Sequence, residues 1–103
     1  MTGFIEAAAL GGLKDGVLRA VWPLGLPVLL VRKGGSVFAV ENRCAHMGCP
    51  LTAGSLEGYI LTCPCHDWRF DVRDGIFLEA PELRIKSYPV KIEGEKILIQ
   101  AEL

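Results

Sequence analysis

All four cysteines and both histidines of this 103-residue chain fall between positions 44 and 66. They form the pair Cys44-Ala45-His46, a single Cys49 and, separated from His46 by sixteen residues, the run Cys63-Pro64-Cys65-His66. A thiolate and an imidazole one or two residues apart have metal-ligand spacing, and two such pairs serve one centre only if two loop tips converge. The chain must therefore supply a frame that holds two loops side by side.

The flanking sequence reads as β-structure. Val28 to Arg32 and Val37 to Glu41 are β-branched runs separated by Lys33-Gly34-Gly35-Ser36, the pattern of a hairpin. Tyr88 to Ile92 and Ile97 to Ala101 flank Glu93-Gly94-Glu95, with Val90 and Ile92 on one face and Ile97, Ile99 and Ala101 likewise, which predicts another hairpin. Phe4 to Ala9 and Val17 to Val21 read as a third pair, with helix as the alternative for the Ala-rich run at 7 to 9. Between the flanks, residues 42 to 82 alternate short apolar pieces (Tyr59 to Thr62, Arg69 to Val72, Ile76 to Leu78) with loops rich in Cys, His, Gly and Pro. The expected architecture is all-β: one domain over 1–103, an antiparallel sandwich or barrel body with a small inserted subdomain at about 42–82. Loops on such a frame commonly carry function.

Composition narrows the function. Half the residues are hydrophobic, enough for one modest core, and the formal net charge is −1, which gives neither a nucleic-acid footprint nor a polybasic membrane patch. The apolar stretch from Val17 to Val31 is broken by Arg19, Pro23, Gly25 and Pro27, so it reads neither as a signal peptide nor as a membrane anchor. A cytoplasmic protein is expected, and in that compartment clustered cysteines more often mean metal or redox chemistry than structural disulfides.

A thiolate and an imidazole from each loop suit a dinuclear iron centre in which one iron takes both thiolates and the other both imidazoles. Two ferric ions, two sulfides, two thiolates and two neutral imidazoles sum to zero charge, so this centre accepts an electron more readily than an all-thiolate one. Such potentials lie at roughly −150 to +300 mV, against about −400 mV for the all-cysteine plant type. A single structural zinc on the same Cys₂His₂ set is the alternative, although one residue between Cys44 and His46 is short for it.

The segments Cys44-Ala45-His46-Met47-Gly48-Cys49-Pro50-Leu51 and Cys63-Pro64-Cys65-His66-Asp67-Trp68-Arg69-Phe70-Asp71 resemble the two cluster boxes of Rieske iron-sulfur proteins. The likeness extends more weakly through Val37-Phe38-Ala39-Val40, the Asp74-Gly75 turn and the last hairpin, and points to the soluble Rieske ferredoxin branch. It implies a 2Fe–2S cluster, with Cys44 and Cys63 on the inner iron and His46 and His66 on the outer, surface-facing one. It also places Cys49 and Cys65 where Rieske proteins of the cytochrome bc type carry a disulfide; a reversible dithiol and two inert thiols are the alternatives. Met47 and Leu51 would cover the cluster, and Pro81 resembles the proline loop that shields its third side. Trp68 and Phe70 stand where the bc type has hydroxyl residues. Neither supplies a hydroxyl, so a potential in the lower half of the range is expected. Asp67 replaces a glycine common after the second histidine.

No histidine remains for a mononuclear oxygenase iron, and no Gly-x-Gly-x-x-Gly segment follows a strand to bind a nucleotide cofactor. The resemblance thus implies an electron-transfer protein that is not itself an enzyme, passing single electrons from a reductase to an oxygenase or other terminal oxidoreductase. The alternatives are a small electron-transfer subunit of a larger complex and a redox sensor using Cys49 and Cys65. Docking is expected to be small and transient, with Met47, Pro50, Leu51 and Pro81 as contact residues.

Overall fold

Four consecutive residues, Val28 to Val31, are completely buried, and they lie in the middle strand of the fold. In a strand, alternate side chains point to opposite faces. Leu29 and Val31 join one core, with Val40, Leu51, Leu61, Cys63, Phe70, Val72, Phe77 and Ile85. Val28 and Leu30 join a second, with Leu13, Ala39, Ile97 and Ile99. A strand covered on both faces needs an unbroken apolar run, which is what Val28-Leu29-Leu30-Val31 provides.

The computed structural model describes residues 2–43, 50–65 and 67–102. Ten strands form three antiparallel sheets: β1 (Thr2–Ala9), β2 (Leu18–Val21), β3 (Val28–Lys33), β4 (Ser36–Glu41), β5 (Ser55–Glu57), β6 (Ile60–Thr62), β7 (Arg69–Asp71), β8 (Ser87–Tyr88), β9 (Val90–Glu93) and β10 (Lys96–Glu102). The orders are β1-β10-β9, β2-β3-β4-β8 and β5-β6-β7. Three 3₁₀ turns, Leu10–Gly12, Pro23–Gly25 and Leu51–Ala53, are the helical elements among the described residues, and none is long and apolar enough to cross a membrane. The expected all-β architecture is the one observed. The sheet β5-β6-β7 lies in sequence between β4 and β8, which pair with each other.

Both expected hairpins form, β3 with β4 around Gly34-Gly35 and β9 with β10 around Gly94-Glu95. Ile97 and Ile99 are buried as the alternation predicts, whereas Ile92, opposite Ile97, is 43% exposed at the edge of its sheet. The third expected pair is corrected. β1 pairs with β10, from Thr2 opposite Glu102 to Ala9 opposite Lys96, and β2 pairs with β3. The seven-residue β10 offers β1 a longer edge than the four-residue β2 does. The Ala-rich run is accordingly strand, with its register shifted between Glu6 and Ala8, and not helix. Ile76 to Leu78 makes only single bridges, Phe77 to Phe70 and Ile76 to Arg84, and forms no strand.

Two features close the chain after β7. Asp71 caps its turn: Oδ1 accepts from the Arg73 N–H at 2.9 Å and from Arg73 Nε at 3.0 Å, and Oδ2 accepts from Nη2 at 2.7 Å. These bonds, the side-chain ones foremost, hold the Asp71 carboxyl below its ordinary value against the opposing effect of burial. Gly75 then sits at φ +81°, where a Cβ would lie 2.2 Å from the Ile85 carbonyl oxygen. Residue 75 must be glycine for both reasons.

Gly75→Ala is expected to destabilise the fold by about 3 kcal/mol, since backbone must move against backbone; the urea midpoint measures it. The Asp71 contribution is complete above its ordinary value of 3.8 and is lost as pH falls below it. Asp71→Asn should therefore flatten the acid limb of stability against pH, read by denaturation between pH 7 and 3.

Candidate metal centre

Cys63 follows the last residue of β6, fully buried and a free thiol. Its N–H donates to the Trp68 carbonyl at 2.7 Å, and its carbonyl accepts from the Asp67 N–H at 3.1 Å. These bonds continue the β6-β7 ladder by one step and pinch the second box into a loop over 63–68. At its tip Pro64 and Cys65 are exposed, and Cys65 is disulfide-bonded. Asp67 has φ +57°, a left-handed conformation that aspartate tolerates better than most residues and glycine tolerates best. That accounts physically for an aspartate where glycine is common.

The first box is tied down from both sides. Asn42, only 6% exposed, accepts from the Thr52 N–H through Oδ1 at 3.0 Å and donates its own N–H to the Pro27 carbonyl at 3.0 Å. Residues 42 and 52 flank the box, so one side chain clamps its two ends and anchors them to the start of β3. Gly54 then presses against β6: a Cβ there would lie 2.0 Å from the Thr62 carbonyl oxygen. Only a glycine lets the segment after the first box reach the residue that precedes Cys63. Leu51, fully buried, packs in the same core as Cys63.

Aromatic rings floor the second loop. Trp68 stacks on Phe77 with centroids 4.2 Å apart and planes 6° from parallel, and Phe77 meets Phe70 at 5.5 Å. Phe70 is fully buried. Arg69 pairs with Glu79, with Nε 2.8 Å from Oε1, and its carbonyl accepts from the Leu78 N–H at 2.9 Å. This fixes residues 78 and 79 alongside β7. An Ala80 to Leu83 turn follows, with its 2.9 Å closing bond and an exposed Pro81 at the second position, where proline suits a turn.

Cys44, His46, Met47, Cys49 and His66 lie outside the described residues. Of the expected docking residues, Pro50 and Pro81 are exposed, but Leu51 is corrected: it is wholly buried and cannot touch a partner. Leu78 and Leu83, 40% and 43% exposed, flank Pro81 instead. Sequence reasoning missed Asn42, Thr52 and Phe77. Asn42 carried a faint signal, a lone amide between a strand and the first box, whereas the partners of the other two are visible only in three dimensions.

The described residues fit a bound iron-sulfur cluster. A buried free cysteine follows β6, Gly54 packs against the Thr62 carbonyl just before it, and the hydroxyl of Thr52 is buried with no hydrogen-bond partner among the described residues. The family model for the Rieske [2Fe-2S] domain matches residues 4–89. The chain is 39% identical, over 93% of both lengths, to the ferredoxin component of a naphthalene 1,2-dioxygenase system from Pseudomonas aeruginosa. The ferredoxin of carbazole 1,9a-dioxygenase from Nocardioides aromaticivorans IC177 superposes with a TM-score of 0.85 at 36% identity, covering 93% of this chain and 95% of that one. A ferredoxin from Sphingomonas yanoikuyae B1 gives 0.87 at 29% identity, covering 97% and 100%. With a family match over most of its length, a frame shared with these ferredoxins and a buried free thiol after β6, this chain belongs to the Rieske [2Fe-2S] domain family.

Proposed function

We propose that this protein is a one-electron carrier of the Rieske ferredoxin type, taking an electron from a reductase and passing it to a terminal oxygenase or related oxidoreductase. The carrying observation is the likeness, over 93% of both chains, to a protein named as the ferredoxin component of a dioxygenase system. The same likeness favours the separate carrier over a subunit of a larger complex. A Rieske 2Fe–2S cluster supplies reversible one-electron chemistry when bound; the protein holds it, keeps it dry and sets its potential.

In this reading Cys63 and Cys44 bind the inner iron, and His46 and His66 bind the outer one. The disulfide at Cys65 supports a Cys49–Cys65 staple between the boxes. Such a link would restrain the unfolded chain, by about 3 kcal/mol for a loop of fifteen residues in loop-closure accounts. Residues 1–103 act as one domain with the cluster-binding part at about 42–82. Because Phe70 points into the core and carries no hydroxyl, it cannot donate to cluster sulfur, which supports a potential in the lower half of the Rieske range. Met47 and Pro81 shield the cluster, and Pro50, Pro81, Leu78 and Leu83 offer an apolar rim for a small, transient interface. The cytoplasm is the proposed compartment.

Iron and sulfide analysis with the electron paramagnetic resonance spectrum of the reduced protein tests the cluster; zinc without sulfide would refute it. His66→Cys is expected to keep a cluster at lower potential, because a third thiolate adds negative charge; an unchanged spectrum and potential would contradict the ligand assignment. Asn42→Ala leaves the Thr52 N–H unpaired, a cost of about 1–3 kcal/mol, and should lower both the thermal midpoint and the iron retained through gel filtration. Electron delivery by the wild-type protein to a ferredoxin-dependent dioxygenase, followed by product formation, tests the carrier role.

A further inference from the structure

Trp22 and Leu24 are the most exposed large apolar side chains among the described residues, at 64% and 68%. They stand on the connection between β2 and β3, in a run from Ala20 to Val31 that contains no charged residue. Neither side chain joins a core, yet the turn that carries them is tied down. Pro23 between them is buried, and Val21 and Leu26 on either side pack against the second core. The Gly25 N–H donates to the Trp22 carbonyl at 3.1 Å and the Leu26 N–H to the Pro23 carbonyl at 3.0 Å. Leu24 is held at φ 51° and ψ 30°, a left-handed conformation that crowds the Cβ of a leucine. Two unfavourable features thus meet at one position, a strained backbone and a leucine left in water. Strained residues of this kind gather where a protein meets its ligands.

Size and position identify the occupant. Two side chains supply far less than the roughly 800 Å² per partner of a stable interface, so they suit a transient contact and not a lasting dimer of this chain. The loop also adjoins the flanks of the first box: the Pro27 carbonyl accepts the Asn42 N–H, Asn42 Oδ1 accepts from the Thr52 N–H, and the Leu51–Ala53 turn lies beside β2. We propose that Trp22 and Leu24 are an apolar anchor that seats in an uncharged recess of the protein with which this carrier exchanges its electron. This rests on the carrier reading above. A pre-set indole offers a large contact area with little conformational freedom to lose, which is why tryptophan is common among the residues that dominate binding. With no charge in the loop, its contribution is independent of ionic strength.

The test compares Trp22→Ala and Leu24→Gly with the wild-type holoprotein in electron transfer from a reductase and to a dioxygenase that the wild type serves, at low and high salt. W22A is expected to raise the half-saturating carrier concentration about tenfold for at least one of these partners at both salt levels, with the rate at saturation and the reduction potential unchanged. L24G should weaken docking less while holding or raising the thermal midpoint, because glycine takes the left-handed backbone without strain. Unchanged half-saturation with both partners overturns the proposal. So does an effect that vanishes at high salt, a shifted potential, or a loss of docking that follows a lower thermal midpoint in both variants. Two other occupants are separated by the same variants. Binding of the wild type, but not W22A, to phosphatidylcholine–phosphatidylglycerol vesicles, with kinetics unaltered, would assign the loop to a lipid surface and refute a protein recess. A wild-type dimer that W22A dissociates, again with kinetics unaltered, would refute it in favour of a second copy. Wild-type protein that passes electrons to no dioxygenase would instead defeat the carrier reading, a result seen before any variant is compared.

Discussion

Burial of β3 on both faces is the constraint on which the rest of the molecule depends. Its alternate residues serve two cores: Val28 and Leu30 meet Ile97 and Ile99 of β10, while Leu29 and Val31 meet Leu51, Leu61, Cys63 and Phe70. The β1-β10-β9 sheet and the loop-bearing β5-β6-β7 sheet are therefore coupled through one strand. Such a strand cannot shift its register by one residue without exchanging the two sets of side chains between cores. The metal-binding end inherits its position from that fixed register.

From β3 the position of the centre is transmitted by few contacts, mostly backbone. Pro27 at the start of β3 receives the Asn42 N–H, and Asn42 in turn holds Thr52 across the first box. Gly54 lets that box approach the Thr62 carbonyl beside Cys63. Main-chain contacts suit a redox carrier, because they involve groups with little conformational freedom of their own. A carrier that reorganises little exchanges electrons with less loss than one that must rearrange.

Aromatic packing and exposed apolar surface fall on different residues around the second box. Phe70 and Phe77 are buried, Trp68 stacks on Phe77, and none of the three carries a hydroxyl. The Arg69–Glu79 pair is exposed and contributes little to stability as a surface ion pair, yet with the Leu78 N–H bond it orients the turn that presents Pro81 and Leu83.

The sequence by itself determined the spacing of the cysteines and histidines, the β character of the flanks and the two hairpins at Gly34-Gly35 and Gly94-Glu95. These depend on side-chain chemistry and on turns of two residues, both local properties. It also marked β3, since a run of four large apolar residues has no polar face to give to water. Only the tertiary structure decided that β1 crosses to β10, because a strand takes the longest free edge in space and not the nearest in sequence. The same holds for Leu51, whose inward turn is dictated by the core it meets. The Asn42 clamp and the Gly54 contact likewise join residues whose proximity exists only in the folded chain.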